Sequence, residues 1–439
     1  MDRLRYHGRR AASAFLHWAR RRFTSAGGLV LGALVASAVL GVDTNASMAY
    51  QAFTFLLALL ALSMSAGLLF RARLEVRRTV PRFGTAGQPL PYSIRVKELG
   101  GRAQRDLSLF EELEDPRPDF DAFRREPAAS NASFSDRLLG LGRWDRLVRR
   151  QRATADTEIS LPVVPPLGVC EASAQLIPAR RGRLKLCGLT VARCDPIGLL
   201  RALSRRDEEQ SVLILPRRYP VPRLALPGRR RYQQGGVALS SAVGDSQEFV
   251  SLRDYRPGDP LRRVHWKSLA RTGKLIVKEH QDEYFVRHGL ILDTFTSAPG
   301  EVFEEAVSAA ASFACSVLPQ ESLLDLLFVG SQAYCCTAGR GLGGAEKLLE
   351  VLAGVQPCAD KDFEELRRSV ILRHTELSGC IVILMGFDEP RRRFISELRA
   401  LGVPVLALVI AVPSDSDGAL PQGVHRLTPG RMAEGLARL

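Results

Sequence analysis

Glu248–Glu283 reads EFVSLRDYRPGDPLRRVHWKSLARTGKLIVKEHQDE. Pro257-Gly258 suits a turn, because proline fixes φ and glycine accepts a positive φ. Leu261, Val264, Ser268 and Leu269 allow a short helix, and Leu275–Val277 reads as a buried strand. The stretch holds eight Lys/Arg and six Asp/Glu, a net of +2. Interleaved signs predict an ion-pair network that locks the turn and helix, with Asp259 and Arg256 turned back towards Arg262, Arg263 and Asp254. The candidate structural or partner-docking residues are Arg253, Tyr255, Arg256, Pro257, Gly258, Asp259, Arg262, Arg263, Trp266, Lys267 and Arg271. An anionic ligand near Arg253, Arg256, Arg262 and Arg263 is the competing reading. His265 and Trp266 read as packing residues rather than as a catalytic base and a stacking platform.

On the C-terminal side the pattern alternates. Leu290–Asp293, Leu323–Val329, Ile381–Met385 and Val403–Ile410 read as strands, the first ending in an acid. Between and after them, Glu301–Leu318, Ala345–Ala353, Phe363–Arg373 and Arg391–Leu401 read as helices. Such alternation predicts an α/β domain over residues 284–439, with a mostly parallel sheet covered on both faces. Gly339–Gly344 matches G-x-G-x-x-G in form, but a dinucleotide fingerprint follows the first strand of a βαβ unit. Deep inside the domain, it reads as a loop and helix start.

On the N-terminal side, residues 71–216 read as a β-rich, sandwich-like domain. Leu90–Val96, Leu107–Leu113, Glu158–Val164, Glu171–Ile177, Leu184–Val191 and Val212–Leu215 are its strands. A polar insertion, 115–157, interrupts them. Within it, Ser133–Arg152 allows a basic amphipathic helix with Leu138, Leu141, Trp144 and Val148 on one face. That helix either lies on an anionic leaflet or docks on the sandwich. Residues 217–247 form a basic linker, with six arginines and no acid between Arg217 and Arg231.

Residues 1–22 are a basic N-terminus and 23–70 a membrane hairpin. Phe23–Val42 is twenty residues without a charge, and Tyr50–Phe70 twenty-one more. A helix needs about 20 such residues to cross the hydrocarbon core, and a mid-bilayer charge costs about 2.5–3.5 kcal/mol on the insertion scale. Seven arginines precede the first run, and Arg71, Arg73, Arg77 and Arg78 follow the second; the link Asp43–Ala49 carries no Lys or Arg. The positive-inside rule then puts both termini in the cytoplasm of a multi-pass protein of the inner membrane. Arg20-Arg21-Arg22-Phe23 also has a twin-arginine look, and Ala46–Ala49 could be cleaved; the second helix would still hold the remainder in the cytoplasm. The eight cysteines form no C-x-x-C pair and read as reduced thiols.

The run from Leu252 to Leu275 resembles the signature of a bacterial family, domain of unknown function 58. Arg180-Arg181-Gly182-Arg183-Leu184 and Asp195-Pro196-Ile197-Gly198-Leu199 resemble two further motifs of that family. The resemblance implies two N-terminal transmembrane helices and a von Willebrand factor A-like C-terminal domain. That fold often carries a metal-ion-dependent adhesion site, which opens with Asp-x-Ser-x-Ser. Here the stretch is Asp293-Thr294-Phe295-Thr296-Ser297, and Phe295 supplies no oxygen. The acid expected after Ile381–Met385 is replaced by Gly386-Phe387, with Asp388 displaced. Asp293 and Ser297 are therefore read as degenerate positions, with no metal. The implied partners are a MoxR-type AAA+ ATPase and a transglutaminase-like membrane protein.

Net charge is +14 and the sequence pI near 9.8. The excess sits at the N-terminus and the linker, places suited to lipid headgroups, while the balanced motif is unlike a nucleic-acid footprint. No Walker motif, Ser-His-Asp order, H-E-x-x-H or carboxylate pair points to an enzyme or a cofactor. The expected function is a membrane-anchored, cytoplasmic interaction or scaffold protein. The alternative is a ligand-binding protein or hydrolase using the arginine-rich motif.

Overall fold

The computed structural model describes residues 2–40, 47–68, 73–125, 141–154, 158–222, 249–257, 259, 261, 264–280, 286–296, 300–316, 322–339, 344–411 and 420–439. These fall into two units, Met1–Leu215 and Pro216–Leu439.

The first unit opens with three helices, α1 (Asp2–Arg22), α2 (Ser25–Leu40) and α3 (Ser47–Leu68). The basic N-terminus is thus helical and engaged: Tyr6 is buried, and its hydroxyl donates to the Pro118 carbonyl at 3.1 Å. α3 contains Met48–Gly67, a stretch long and apolar enough to cross a membrane. α2 packs on it and lies within the Phe23–Val42 run, of which Gly41 and Val42 are outside the described residues. Phe23 is taken up by an antiparallel bridge to Leu200, and the helix starts two residues later. Residues 41–46 of the link, and Arg71, lie outside the described residues.

The strands β1 (Leu74–Thr79), β2 (Phe83–Thr85), β3 (Leu90–Glu98), β4 (Leu107–Leu113), β5 (Glu158–Ser160), β6 (Val169–Leu176), β7 (Gly182–Cys194) and β8 (Arg201–Leu215) form two sheets. Their orders are β1-β3-β6 and β2-β8-β7-β4-β5. Only β2 and β8 pair in parallel. β3 alternates buried and exposed residues, as a strand with one wet face does. Its Tyr92, Ile94 and Val96 share one core with Leu109, Leu186, Val191 and Ile214 of the other sheet. The strand expected over Glu158–Val164 stops at Ser160, since Pro162 cannot donate to a ladder. Arg78 is not a juxtamembrane charge. It is buried in β1, and its guanidinium donates to Glu111 at 2.5 Å. Burial pushes the Glu111 carboxyl up, against the pull of Arg78.

The insertion supplies α4 (Phe120–Arg125) and α5 (Leu141–Gln151). Trp144 and Leu147 of α5 bury against Phe123 and Tyr6. The apolar face offered above to a lipid leaflet is therefore occupied by protein, while residues 133–140, Leu138 among them, lie outside the described residues.

The second unit begins with the hairpin strands β9 (Phe249–Asp254) and β10 (Ile276–His280), which flank α6 (Trp266–Thr272). A six-stranded sheet follows: β11 (Val286–Leu292), β12 (Ser322–Val329), β13 (Ala333–Ala338), β14 (Gly379–Leu384), β15 (Val405–Ile410) and β16 (Val424–Leu427). Its order is β13-β12-β11-β14-β15-β16, with every pair parallel except β12 and β13. The helices are α7 (Glu301–Ser316), α8 (Ala345–Gly354), α9 (Phe363–Ile371), α10 (Glu389–Ala400) and α11 (Met432–Leu436). β14 is buried at every position, as a strand covered on both faces must be. Phe363, Leu366, Phe394 and Leu398 of α9 and α10 pack on Ile291, Val382 and Val409. α7 packs against β11, β14 and β15, with a run of buried alanines and Phe303 and Phe313. The start of the basic linker is docked: Tyr219 donates from its amide to Ser312 at 2.8 Å and from its hydroxyl to Glu305 at 2.6 Å. Residues 223–247 lie outside the described residues.

His288, in β11, is buried, and its Nδ1 has no hydrogen-bond partner among the described residues. Burial holds the imidazole below its ordinary pKa of 6.5. The unfolded chain then takes a proton that the folded one resists. This contribution is present above the unfolded pKa and is lost as pH falls through the folded one. The detergent-solubilised chain should therefore melt lower as pH falls from about 7 to about 5. His288→Leu should remove part of that loss; equal acid sensitivity in the variant would assign it elsewhere.

Candidate functional site

The central motif folds as a strand, a turn, a short helix and a returning strand. Asp259 donates its amide to the Arg256 carbonyl at 3.0 Å, closing the turn around Pro257. The Asp259 carboxylate accepts from the Arg256 amide at 2.9 Å and from both terminal nitrogens of Arg253, at 2.7 and 2.8 Å. These two-pronged bonds from Arg253, then the Arg256 amide, hold its carboxyl down at about 2. Among the described residues the side-chain partner of Asp259 is Arg253; Arg262 and Arg263, towards which it was expected to turn, lie with Gly258 outside the described residues. The expectation missed it because Arg253 precedes the turn by a strand register, which charge spacing does not reveal.

Val264 and Val277 are the buried pair of the motif and bridge the helix start to β10. Tyr255 donates its amide to Leu275, and His265 its amide to Ile276. His265 Nδ1 lies 2.6 Å from Ser268 Oγ in the first turn of α6. Among the described residues no carboxylate bonds to His265, so this contact lacks the orienting acid of a catalytic triad. α6 ends on Gly273 at φ 68°, the left-handed cap that glycine favours. None of its residues is buried. Trp266, read above as a packing residue, is instead 60 % exposed; Leu261 is 62 % exposed, and Lys267 and Arg271 of the same helix are exposed too.

In the six-stranded sheet, Asp293 follows the end of β11 and is fully buried. It accepts from the Phe295 amide at 3.0 Å, the Met385 amide at 3.0 Å and Arg391 Nε at 2.7 Å. Arg391 also donates to Asp388 at 2.6 Å, and its guanidinium carbon lies 5.0 Å from the Phe363 ring centre. Ser297 lies outside the described residues, as do residues 340–343 of the glycine-rich run. Among the described residues no group of three His, Cys, Asp or Glu could hold a metal ion.

The Asp195–Leu199 motif is the turn between β7 and β8, with Gly198 at φ 80°. Asp195 Oδ1 accepts from the Leu200 amide at 2.9 Å, and Oδ2 accepts from Ser63 of α3 at 2.5 Å. Thr24 donates its hydroxyl to Gly198 at 2.6 Å and its amide to Leu199 at 3.1 Å. The turn therefore ties the start of α2 to α3. A cavity of about 590 Å³ opens between α1, β4 and α5, lined by charges of both signs, among them the pairs Arg21 with Glu112 and Arg117 with Asp115.

With this geometry in view, residues 251–433 match the profile of the family described as "Protein of unknown function DUF58". That region contains the motif and nearly all of the six-stranded sheet with its helices. The chain is also similar to the uncharacterized protein YeaD of Bacillus subtilis (strain 168), 28 % identical over 162 residues. The match takes in 36 % of this chain and 39 % of that relative's length. Among solved structures, the CARDB domain of PF1109 from Pyrococcus furiosus is 13 % identical and covers 33 % of this chain and 93 % of its own, at a TM-score of 0.18. The sporulation control protein Spo0M from Bacillus subtilis is 8 % identical, covers 33 % of this chain and 50 % of its own, at a TM-score of 0.15. Likeness at these scores assigns neither fold nor function.

Gly27 sets a steric test of the Asp195 turn. A Cβ there would stand 2.0 Å from the Leu199 carbonyl oxygen, a backbone atom that cannot swing aside. Gly27→Ala should lower the melting temperature of the solubilised chain and speed proteolysis between α1 and α2. Gly28→Ala, where the added carbon meets nothing within 4 Å, should leave both unchanged. Equal behaviour of the two variants would sink this account of the turn.

Proposed function

We propose that this chain is a membrane-anchored interaction protein that presents the Arg253–Asp259 turn and α6 to a protein partner. One observation carries the reading: Trp266 and Leu261 stand exposed in the motif, as do Lys267 and Arg271, next along the chain from a turn fixed by a two-pronged ion pair. Exposed aromatic and arginine side chains are the composition of interface hot spots. A turn already fixed loses little entropy on binding. In this reading α2 and α3 form a two-helix membrane hairpin, with both termini cytoplasmic. The two-sheet unit is a sandwich above the bilayer, and the six-stranded sheet, in the order 3-2-1-4-5-6 with one antiparallel edge, is a von Willebrand factor A-like domain. The resemblance of the motif supports a MoxR-type AAA+ ATPase as the partner, with a transglutaminase-like membrane protein as a second.

The test is capture of the ATPase by the solubilised chain. Trp266→Ala combined with Lys267→Glu should leave the melt unchanged, since neither residue is buried, and should reduce capture at least tenfold. Asp259→Ala should also reduce capture while lowering the melt little, because its partner Arg253 is about a third exposed. Undiminished capture by both variants would remove the motif from the interface. Capture of nothing by the wild type, with a small anion binding at Arg253 and Arg256, would favour the ligand-binding alternative.

Topology has its own measurement. In a cysteine-free background, Asn45→Cys should be labelled from outside intact cells, whereas Ser204→Cys and Ser414→Cys should be shielded. Labelling of either shielded position from outside would overturn the orientation.

A further inference from the structure

The order of the six-stranded sheet runs outward in both directions from β11 and β14, so their carboxyl ends flank a topological switch point, the place where open α/β sheets take ligands. Asp293 stands there, fully buried. A hard divalent cation at this carboxylate needs six or more oxygen donors around it. Among the described residues no group of side chains provides them. Phe295 and Met385 point amide hydrogens at the carboxylate, and Phe295 places a ring against Phe363 where an oxygen would be needed. The remaining approach to Oδ2 is taken by Arg391 Nε at 2.7 Å. The other side of the same guanidinium is fixed by Asp388, which also caps α10 by accepting from the Arg391 amide at 3.3 Å. A metal ion would have to displace a positive charge already held by two carboxylates and an aromatic face.

We propose that Arg391 is the resident cation of this switch point: its guanidinium closes the crevice to divalent metal and joins β11, β14 and α10 without one. Recognition by this end of the sheet is then independent of divalent ions. The assignment rests on the Asp293–Arg391–Asp388 geometry alone and stands whether or not the motif binds a partner.

The experiment uses the full solubilised chain, with manganese as the probe. Wild type should melt at the same temperature in chelator and in millimolar Mn²⁺, and should leave the spin-resonance signal of free Mn²⁺ undiminished. Arg391→Met keeps much of the side-chain volume but strands the Asp293 carboxylate, and should melt lower by roughly 5 °C or more. Adding Asp293→Asn to that variant removes the stranded charge and should recover at least half of the drop, a coupling that a merely additive pair would not show. Saturable Mn²⁺ binding by wild type that is lost in Asp293→Asn would overturn the proposal. So would Arg391→Met melting like wild type, or a double variant melting at the sum of the two single losses.

Discussion

A carboxylate taken out of water is strongly destabilising unless a cation meets it. Asp293 meets that condition through Arg391, and in doing so connects the end of the central strand β11, the end of β14 and the first turn of α10. The same rule governs the opposite end of the sheet. There Arg287 of β11 and Asp325 of β12 are both buried and bond at 2.7 Å, with Thr337 of β13 donating to the same carboxylate. The central strand is thus bracketed by two buried ion pairs of opposite sense. A third, Arg78 with Glu111, ties the two sheets of the first unit. Removing one member of such a pair costs about 3–5 kcal/mol, whereas the pair as a whole adds little over apolar packing. These pairs therefore act on the choice of neighbour and register more than on net stability.

Most regular elements of the second unit were legible because burial on one or two faces imposes a period. Glu301–Leu318 starts where α7 does, its last two residues lying outside the described residues, and Ala345–Ala353 differs from α8 by one residue at its end. β13 and β16 escaped notice. β13 is an edge strand half exposed along its length, and β16 is four residues long, so neither carries a strong apolar pattern. α1 was read as a basic tail because its arginines outweigh the apolar face that Tyr6 and its neighbours provide. In β8, Arg201–Leu215, the charged run from Arg205 to Glu209 hid a strand whose partner β7 supplies the register.

Site residues were less legible, for a geometrical reason. At Asp293 the sequence shows Phe295, a residue without an oxygen donor, two places away, but not the group that meets the carboxylate. That group, Arg391, lies 98 residues further along the chain and reaches Asp293 only because β14 pairs in parallel with β11 and delivers α10 to the same edge. Likewise the Asp195 turn was recognisable as a motif, yet its contacts are with Thr24 and Ser63, on helices far upstream. A local pattern reports the residue that is missing or strained. It does not report the partner that topology brings to it.

Two of the charged centres of the second unit, at Asp293 and in the motif, differ in what surrounds them. At Asp293 the buried charge is met by groups of the fold itself, the Phe295 and Met385 amides and Arg391. In the motif the ion pair is likewise made within the fold, but the helix that follows it is not buried. α6 has no buried side chain and is held by the His265 amide at its start, the Gly273 cap at its end and the small Val264–Val277 contact. A free helix of seven residues would not persist in water; here the hairpin and the Arg253–Asp259 clamp hold it in place. Stabilising so short a helix while leaving Trp266 in water gains nothing for the unit's own core. On the interface reading proposed above, a partner would cover the exposed ring, and the exposed Lys267 and Arg271 of the same helix would favour an acidic surface on that partner.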